Sequence, residues 1–223
     1  MLAVIILSGG ESRRMGRPKA LVPFPEGEPW LAPAKTNEAI TADQEPTGIR
    51  SKTFLEHLIE VTRHPRAGIL RVVVGAHAEE IRARVKMNEG VMIVNKEWQR
   101  GQLSSLQAAI RSLPEGETEG MLVCLVDHPL ISAEVVARVI GAFDKAKNKI
   151  AIPTYRGKRG HPVIFPSTMY AELLSAPENV GARAVVQTHA ADVLEVPVEE
   201  EGILLNLNDP ESLRRISNQR TRS

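Results

Sequence analysis

The chain has 223 residues, a formal net charge of +1, 43% hydrophobic residues and 25% charged residues, which is ordinary for a globular protein. A protein that binds nucleic acid through bulk electrostatics would carry a large basic excess, so phosphate recognition here must be local. The apolar run at residues 2–7 is too short to span a membrane and lacks the flanks of a signal peptide. The single cysteine, Cys124, fits a reducing compartment. We therefore predict a cytoplasmic protein without nucleic-acid or membrane partners.

Short apolar runs alternate with stretches of helical periodicity in the first half of the chain. Strands are predicted at residues 4–7, 69–74, 91–94 and 122–126, and helices at 53–63, 79–87 and 103–113. Continuous apolar runs are typical of strands that are buried on both faces. The alternation predicts an α/β, Rossmann-like fold with a mostly parallel sheet and helices on both faces. Ligands of such sheets bind at the carboxyl ends of the strands, so functional residues should follow the strands.

The second half of the chain is less regular. Strands are predicted at 150–153, 162–165, 193–196 and 203–205, and helices near 168–175 and 182–189. Pro210 is predicted to begin a final helix, because proline suits the first helical position. Residues 25–52 contain four prolines and no sustained period, which predicts a flexible insertion. Residues 1–217 are predicted to form a single domain, followed by a polar tail at 218–223.

Two glycines and a cluster of cations follow the first strand. Gly9 and Gly10 would let the backbone approach phosphate oxygens and present its N–H groups. Four cations lie within seven residues of one another, namely Arg13, Arg14, Arg17 and Lys19. They would neutralise phosphate charge, although the spacing fits neither the P-loop nor the dinucleotide-binding pattern. The alternative is a strand-to-loop turn with solvated charges, which the density of cations disfavours.

Residues 7–19 resemble the signature of the MobA/MocA-like nucleotidyltransferases, and the resemblance spans nearly the whole chain apart from the insertion. It implies a fold of the nucleotide-diphospho-sugar transferase type and Mg²⁺-dependent transfer of CMP or GMP from CTP or GTP to molybdopterin, with release of pyrophosphate. The residues that would bind the triphosphate are Leu7, Ser8, Gly9 and Gly10. By position, Arg13 and Lys19 would bind the nucleotide and act in catalysis. Mn²⁺ is the alternative metal, and a molybdoenzyme or its chaperone is an implied partner.

A carboxylate ends the fourth predicted strand, where Asp127 precedes His128 and Pro129. A lone aspartate there more often caps a turn, but one that faces a triphosphate could hold Mg²⁺ against the phosphate oxygens. The segment resembles the family's Asp-x-Pro metal site, which implies that Asp127 is both metal ligand and catalytic residue. Residues 206–210 resemble the family's Asn-x-Asn-Thr-Pro segment, so Asn206 is the second predicted metal ligand, with Asn208 left open as the alternative.

Residues 95–105 resemble the MocA-like pattern Asn-Pro-x-Trp-x-x-Gly-Met-x-x-Ser at the edge of the base pocket. The resemblance implies that Gly101 and Ser105 bind the base, and Gly75 is a further predicted nucleotide-binding residue. Ser104 has an alternative role as a helix N-cap. Trp98 is predicted to serve mainly in packing.

Residues 156–162 form a basic, glycine-rich turn between two predicted strands. They could be only a hairpin tip with solvated charges, but they resemble the MocA-like Gly-x-x-Gly-His-Pro segment beside the acceptor. The resemblance implies that Arg159, Gly160 and His161 bind the acceptor. His161 is not expected to be a general base, because an acceptor phosphate is already an anion near pH 7.

Three alternatives remain at this level. The base stays open, because Gly10 matches the guanylyl enzymes whereas Trp98, Ser105 and the Gly-His-Pro segment are more typical of the cytidylyl branch. The second alternative is a nucleotidyltransferase that acts on sugar or polyol phosphates. The third is a catalytically silent nucleotide-binding module that regulates a partner, which the presence of Arg13, Lys19 and Asp127 disfavours.

Overall fold

A mixed β-sheet lies at the centre of the computed structural model, which describes residues 1–24, 51–177 and 181–214. The strands in these ranges are β1 (Leu2–Ser8), β2 (Ala67–Val74), β3 (Met92–Val94), β4 (Gly120–Leu125), β5 (Ile150–Tyr155), β6 (Lys158–Arg159), β7 (Val163–Pro166) and β8 (Val193–Pro197). Their order is β3-β2-β1-β4-β7-β5-β6, and β8 also pairs with β5. Strands β3, β2, β1 and β4 are parallel, whereas β7 is antiparallel to both β4 and β5. The predicted mostly parallel α/β sheet is confirmed.

Helices pack against both faces of this sheet. They are α1 (Phe54–Val61), α2 (Ala78–Arg84), α3 (Gln102–Arg111), α4 (Ala133–Lys145), α5 (Tyr170–Ser175) and α6 (Gly181–Thr188). Alternate residues of β1 point to opposite faces, as the period of a strand requires. Val4 and Ile6 join a core with α1, α2 and α4, while Ala3 and Ile5 join a second core with α3, α5 and α6. The predicted helices near 53–63, 79–87, 103–113, 168–175 and 182–189 correspond to α1, α2, α3, α5 and α6.

Helix α4 occupies a region that the sequence-based prediction leaves unassigned. The side chain of Ser132 accepts a hydrogen bond from the backbone N–H of Val135 and so caps the helix. Val135, Val139 and Phe143 then recur at a spacing of four residues and are buried, which is the pattern of an amphipathic helix. The signal was therefore present in the sequence.

The strand predicted at residues 203–205 is wrong, because Glu201–Leu204 form a 3₁₀ helix. A Cβ atom on Gly202 would overlap the carbonyl oxygen of Leu130, and the carbonyl of Ile203 accepts from the N–H of His161 at 3.0 Å. The segment is therefore held against the loops that follow the strands instead of pairing within the sheet. A short apolar run does not reveal such long-range contacts.

The two ends of the predicted insertion lie side by side. The N–H of Phe24 donates to the carbonyl of Lys52 at 2.6 Å, and Pro23 forms a β-bridge with Thr53. Most of the predicted insertion, and the predicted tail at 218–223, lie outside the described residues. Residues 210–214 are helical, as predicted from Pro210. None of the described helices is both long and apolar enough to cross a membrane.

A cluster of ion pairs holds the amino-terminal ends of β1 and β4 together. The carboxylate of Glu119 accepts from the guanidinium of Arg66 at 3.1 Å, from the ammonium of Lys147, and from the N-terminal amine at 3.1 Å. Arg66 also donates to Asp144 at 2.8 Å. These donors, the Arg66 guanidinium first among them, hold the pKa of the Glu119 carboxyl far below its usual range.

We expect Glu119→Gln to lower stability in a pH-dependent way. A carboxyl whose pKa is depressed in the folded state contributes stability above its unfolded pKa of about 4.3, and this contribution is lost as the pH falls. The free energy of unfolding should therefore differ most between the wild type and the variant at pH 7, and the difference should shrink below about pH 5. Urea denaturation at pH 7 and pH 3 measures this difference. Equal differences in the free energy of unfolding at the two pH values would contradict the lowered pKa of the Glu119 carboxyl.

Candidate functional site

A cavity of about 410 Å³ opens at the carboxyl ends of β1 and β4, between which the order of strands reverses. Parallel sheets typically bind ligands at such a point. We call this the first cavity. Its walls are formed by Leu7, Ser8, Gly9, Gly10, Ser12, Lys19, Trp98, Gln99, Gly101, Gln102, Ser105, Leu125, Val126, Asp127 and Asn206. The loop that contains Gly9 and Gly10, which we call the glycine loop, therefore faces the same space as Asp127 and the first turn of α3.

Lys19 and Asp127, which are separated by 108 positions in the chain, form an ion pair in this cavity. The ammonium of Lys19 lies 3.2 Å from Oδ2 of Asp127 and 2.5 Å from Oδ1 of Asn208. The Lys19 and Asp127 side chains are only 15% and 22% exposed, so water screens their charges less than on an open surface. The backbone N–H of Leu207 donates to the carbonyl of Asp127 at 2.7 Å, which holds the segment around Asn206 against the end of β4.

The two asparagines that the sequence could not separate have different positions. Asn206 lines the first cavity together with Asp127, whereas the amide oxygen of Asn208 accepts from Lys19. Among the described residues no three histidine, cysteine, aspartate or glutamate side chains cluster to hold a metal ion. Mg²⁺ commonly takes only one or two protein oxygens and completes its shell with water and substrate phosphates. The carboxylate of Asp127 and the amide oxygen of Asn206 fit that mode of binding.

A buried amide ties the start of α3 to the glycine loop. Nδ2 of Asn95 donates to the hydroxyl oxygens of Ser104 at 2.9 Å and Ser105 at 3.1 Å. The hydroxyl of Ser104 donates to the carbonyl of Gly101 at 2.8 Å. Gly101 is itself the N-cap residue of α3, without a side-chain cap, so the alternative role of Ser104 as the N-cap is wrong. A Cβ atom on Gly9 would lie 2.7 Å from Oγ of Ser105, so the loop and the helix are in close contact.

Two predicted nucleotide-binding residues are not among those that line the first cavity. The guanidinium of Arg13 donates to the carboxylate of Glu11 at 2.7 Å, and its side chain is 82% exposed. Gly75 packs behind the loop, where a Cβ atom would overlap the carbonyl oxygen of Gly9 and the side chain of Trp98. Direct binding of nucleotide by Arg13 or Gly75 stays a prediction, and Gly75 has a clear role in supporting the glycine loop.

A second cavity of about 650 Å³ adjoins the first. Its walls are formed by Leu7, Gln102, Leu103, Leu106, Val123, Leu125, Ile152, Arg159, Gly160, His161, Val163, Phe165, Gly181, Ala182, Arg183, Val186 and Gln187. The structure thus places all three predicted acceptor-binding residues, Arg159, Gly160 and His161, in one wall. A two-residue turn at Arg156 and Gly157, both with positive φ, joins β5 to β6 and so positions this segment, as in tight hairpins.

His161, in the wall of the second cavity, lies beside His128 of the loop after β4, with ring centroids 5.0 Å apart. Burial lowers the pKa of His161 to about 4, and burial also lowers the pKa of His128. Within residues 1–24, 51–177 and 181–214, Nδ1 of each ring is buried without a hydrogen-bond partner. His161 is therefore a neutral ring at pH 7 in the wall of the second cavity, and His128, predicted as a loop residue, is buried.

Several cavity residues were missed from the sequence. Gln102 directly follows Gly101, which is predicted to bind the nucleotide. This position was the signal in the sequence that could have identified Gln102. Arg183 and Gln187 come from α6, in a segment without any recognised motif. Only the packing of α6 against α3 and the sheet brings those two side chains to the second cavity.

The backbone of Gly101 provides a direct test of this architecture. Its φ of 104° and ψ of −177° lie in a region that is essentially restricted to glycine, at a cost of about 1–3 kcal/mol for other residues. A Cβ atom there would meet no protein atom within 4 Å, so any effect of Gly101→Ala on the stability of the free protein must come from backbone strain. We expect Gly101→Ala to lower the free energy of unfolding by about 1–3 kcal/mol and to weaken nucleotide binding, as measured by urea denaturation and calorimetry.

Gly141→Ala is the matched control for this prediction. Gly141 lies inside α4 and its added Cβ would also meet nothing within 4 Å, but its φ is not positive. Alanine should stabilise a helix interior by about 0.5–1 kcal/mol relative to glycine. Equal effects of the two substitutions would show that Gly101 is not strained.

Comparison with known proteins finds a matching family profile, relatives in sequence and solved structures of similar fold. A sequence profile described as the MobA-like NTP transferase domain matches residues 4–37 and 47–193. The chain is 26% identical over 98% of its length to a probable molybdenum cofactor guanylyltransferase of Mycobacterium avium, covering 96% of that protein. It is also 24% identical, over 82% of its length and 80% of the other chain, to nicotine blue oxidoreductase of Paenarthrobacter nicotinovorans. A Mycobacterium tuberculosis protein crystallised with manganese has the same fold, with a TM-score of 0.69, 21% identity and coverage of 97% of this chain and 98% of that one.

Proposed function

We infer that the chain, a nucleotidyltransferase that belongs to the MobA-like NTP transferase family, transfers a nucleoside monophosphate from an NTP to molybdopterin and releases pyrophosphate. GTP is the proposed donor, and Mg²⁺ or Mn²⁺ the proposed metal. The observation that carries this proposal is the ion pair of Lys19 and Asp127 in a cavity that adjoins a second one. The first cavity would hold the NTP and the second the acceptor.

The residues of the first cavity suit a triphosphate. The backbone of Gly9 and Gly10 would lie along the phosphates, and the ammonium of Lys19 would neutralise charge on the α-phosphate and on the leaving pyrophosphate. Asp127 and Asn206 would hold the metal, which when bound neutralises phosphate charge. Positioning and charge stabilisation are the main contributions that a protein makes to phosphoryl and nucleotidyl transfer.

The second cavity suits an acceptor that has both a ring system and a phosphate. Its wall combines apolar side chains such as Val163 and Phe165 with the cations Arg159 and Arg183. A phosphate oxygen of the acceptor would attack the α-phosphorus of the NTP. The bond from that phosphorus to the oxygen bridging it to the β-phosphate would break, and pyrophosphate would leave. No base is needed at the attacking oxygen, since a phosphate monoester is an anion at pH 7, and His161 would serve as a neutral part of the wall.

The choice of GTP rests on two observations. The Mycobacterium avium relative is named a probable guanylyltransferase, and Gly10 matches the glycine pair of guanylyl enzymes. The segment with Trp98 and Ser105 favours CTP instead, so CTP is the alternative donor. A cytoplasmic location, and delivery of the product to a molybdoenzyme or its chaperone, are further parts of the proposal.

The test supplies each of the four NTPs with Mg²⁺ or Mn²⁺ and molybdopterin, and measures pyrophosphate. We expect turnover with GTP that a chelator abolishes. Turnover with CTP alone would make CTP the donor and leave the proposed reaction unchanged. Turnover only with sugar or polyol phosphates would contradict the proposal that molybdopterin is the acceptor. NTP binding without turnover would indicate a silent regulatory module. Because one relative is named nicotine blue oxidoreductase, NTP-independent redox turnover of nicotine blue should be measured in parallel, and its presence without pyrophosphate release would overturn the proposal.

A further inference from the structure

The first and second cavities meet at a boundary that is formed, among the described residues, by Leu7, Leu125 and Gln102. Leu7 and Leu125 come from the carboxyl ends of β1 and β4, and Gln102 is the first residue of α3. The two leucines can offer no hydrogen bond from their side chains. Gln102 is the polar member of the three, and it is exposed.

The boundary is the place where the proposed reaction must occur. If the NTP lies in the first cavity and the acceptor in the second, the attacking oxygen and the α-phosphorus meet between them. The cationic side chains lie to either side of this point, because Lys19 lines only the first cavity whereas Arg159 and Arg183 line only the second. Gln102 is therefore the polar side chain placed to reach the reacting phosphates from both cavities.

We propose that Gln102 contacts the acceptor phosphate through its side-chain amide and orients the attacking oxygen toward the α-phosphorus. This inference rests on the proposed nucleotidyl transfer. An amide N–H can donate to a phosphate oxygen, and a neutral donor orients an anionic nucleophile without cancelling its charge as a cation would. Gln102 would thus orient the attacking oxygen, whereas Lys19 and the two arginines would neutralise phosphate charge.

The start of α3 is held firmly enough for such a role. The hydroxyl of Ser104 donates to the carbonyl of Gly101, directly before Gln102, and Nδ2 of Asn95 donates to Ser104. Within the part of the chain that the structure describes, the amide of Gln102 itself makes no hydrogen bond to protein, so it is available to a ligand. The MocA-like pattern has methionine at this position, so the amide is a feature by which this chain departs from the pattern.

The experiment compares Gln102→Met, Gln102→Glu and Arg138→Met with the wild type in the pyrophosphate assay. Methionine has nearly the helix propensity and length of glutamine, so the fold should be preserved, which the thermal midpoint checks. For Gln102→Met we expect kcat/KM for the acceptor to fall on the order of tenfold, the effect of one hydrogen bond to a charged group, while the dissociation constant of the NTP changes less than about twofold. Gln102→Glu should cause a larger loss, because it places a carboxylate beside two phosphates.

Arg138→Met is the comparison, because Arg138 is an exposed residue of α4 that lines neither of the two cavities. We expect it to leave kcat/KM for the acceptor within about twofold of the wild type at saturating NTP. An unchanged kcat/KM in Gln102→Met, or the same loss in both variants, would overturn the inference. Failure of the wild type to release pyrophosphate with any acceptor would instead overturn the proposed function, so the two failures are distinguishable.

Discussion

Asp127→Ala is expected to reduce turnover by about a hundredfold or more, the scale seen when one group that stabilises transition-state charge is removed. The carboxylate follows β4, lines the first cavity with Asn206, and lies 3.2 Å from the ammonium of Lys19. Its loss would remove the anionic ligand proposed for the metal and the partner of a cation that is only 15% exposed. Pyrophosphate release at saturating GTP and molybdopterin measures the effect.

The metal and structural parts of this effect can be separated. Binding of Mn²⁺, followed by paramagnetic resonance or calorimetry, should weaken in Asp127→Ala and in Asp127→Asn, since an amide oxygen carries no charge. Circular dichroism should remain that of the wild type. Glu79→Ala is the control, because the Glu79 side chain is 83% exposed and, among the described residues, its salt bridge is to the neighbouring Arg82. Undiminished turnover and Mn²⁺ binding in Asp127→Ala would refute this assignment.

Lys19→Met is expected to lower kcat by about a hundredfold to a thousandfold, the range for loss of one stabilising donor, and to raise KM for the NTP. The ammonium is the cation placed inside the first cavity, where Asp127 and Asn208 hold it. Methionine keeps the apolar stem but removes the charge that would stabilise the α-phosphate and the leaving pyrophosphate. Steady-state measurements with varied GTP give both constants.

Lys19→Arg shows whether charge alone is sufficient. A planar guanidinium cannot occupy the same point between Asp127 and Asn208 as a compact ammonium, so we expect Lys19→Arg to recover only part of the activity. Lys145→Met, which changes an exposed lysine at the end of α4, should leave both constants unchanged. Full activity of Lys19→Met would remove Lys19 from the proposed mechanism.

The strands that carry the site were predictable because each is a continuous apolar run. β1 and β4 lie near the centre of the sheet and β2 pairs with β1. All three bury residues on both faces, so their sequences are mostly apolar. The same argument placed Lys19 and Asp127 on one edge, since the carboxyl ends of parallel strands meet there. The segment at 203–205 has a similar apolar composition, yet Glu201–Leu204 form a 3₁₀ helix, in which Gly202 packs against Leu130 and the carbonyl of Ile203 accepts from His161.

The polar details of the site depend on distances that no motif contains. The sequence could not say which asparagine faces the cavity, because Asn206 and Asn208 are separated by one residue and have the same chemistry. The structure decides this through the contact of Asn208 with Lys19, 189 positions away. The burial of His128 against His161, and the exposure of Arg13 beside Glu11, likewise depend on where other segments cross.

By itself, the sequence determined the kind of chemistry that each segment offers: a glycine and cation loop for phosphates, a carboxylate after a strand, and a basic turn for an acceptor. It could do so because these motifs are local, and their residue types follow from what phosphate and metal ions require. Only the tertiary structure decided that the segments form two adjoining cavities, with Gln102 at their boundary. The physical reason is that a boundary between cavities exists only once β1, β4 and α3 have packed together, and each of these elements is specified by its own apolar pattern without reference to the others.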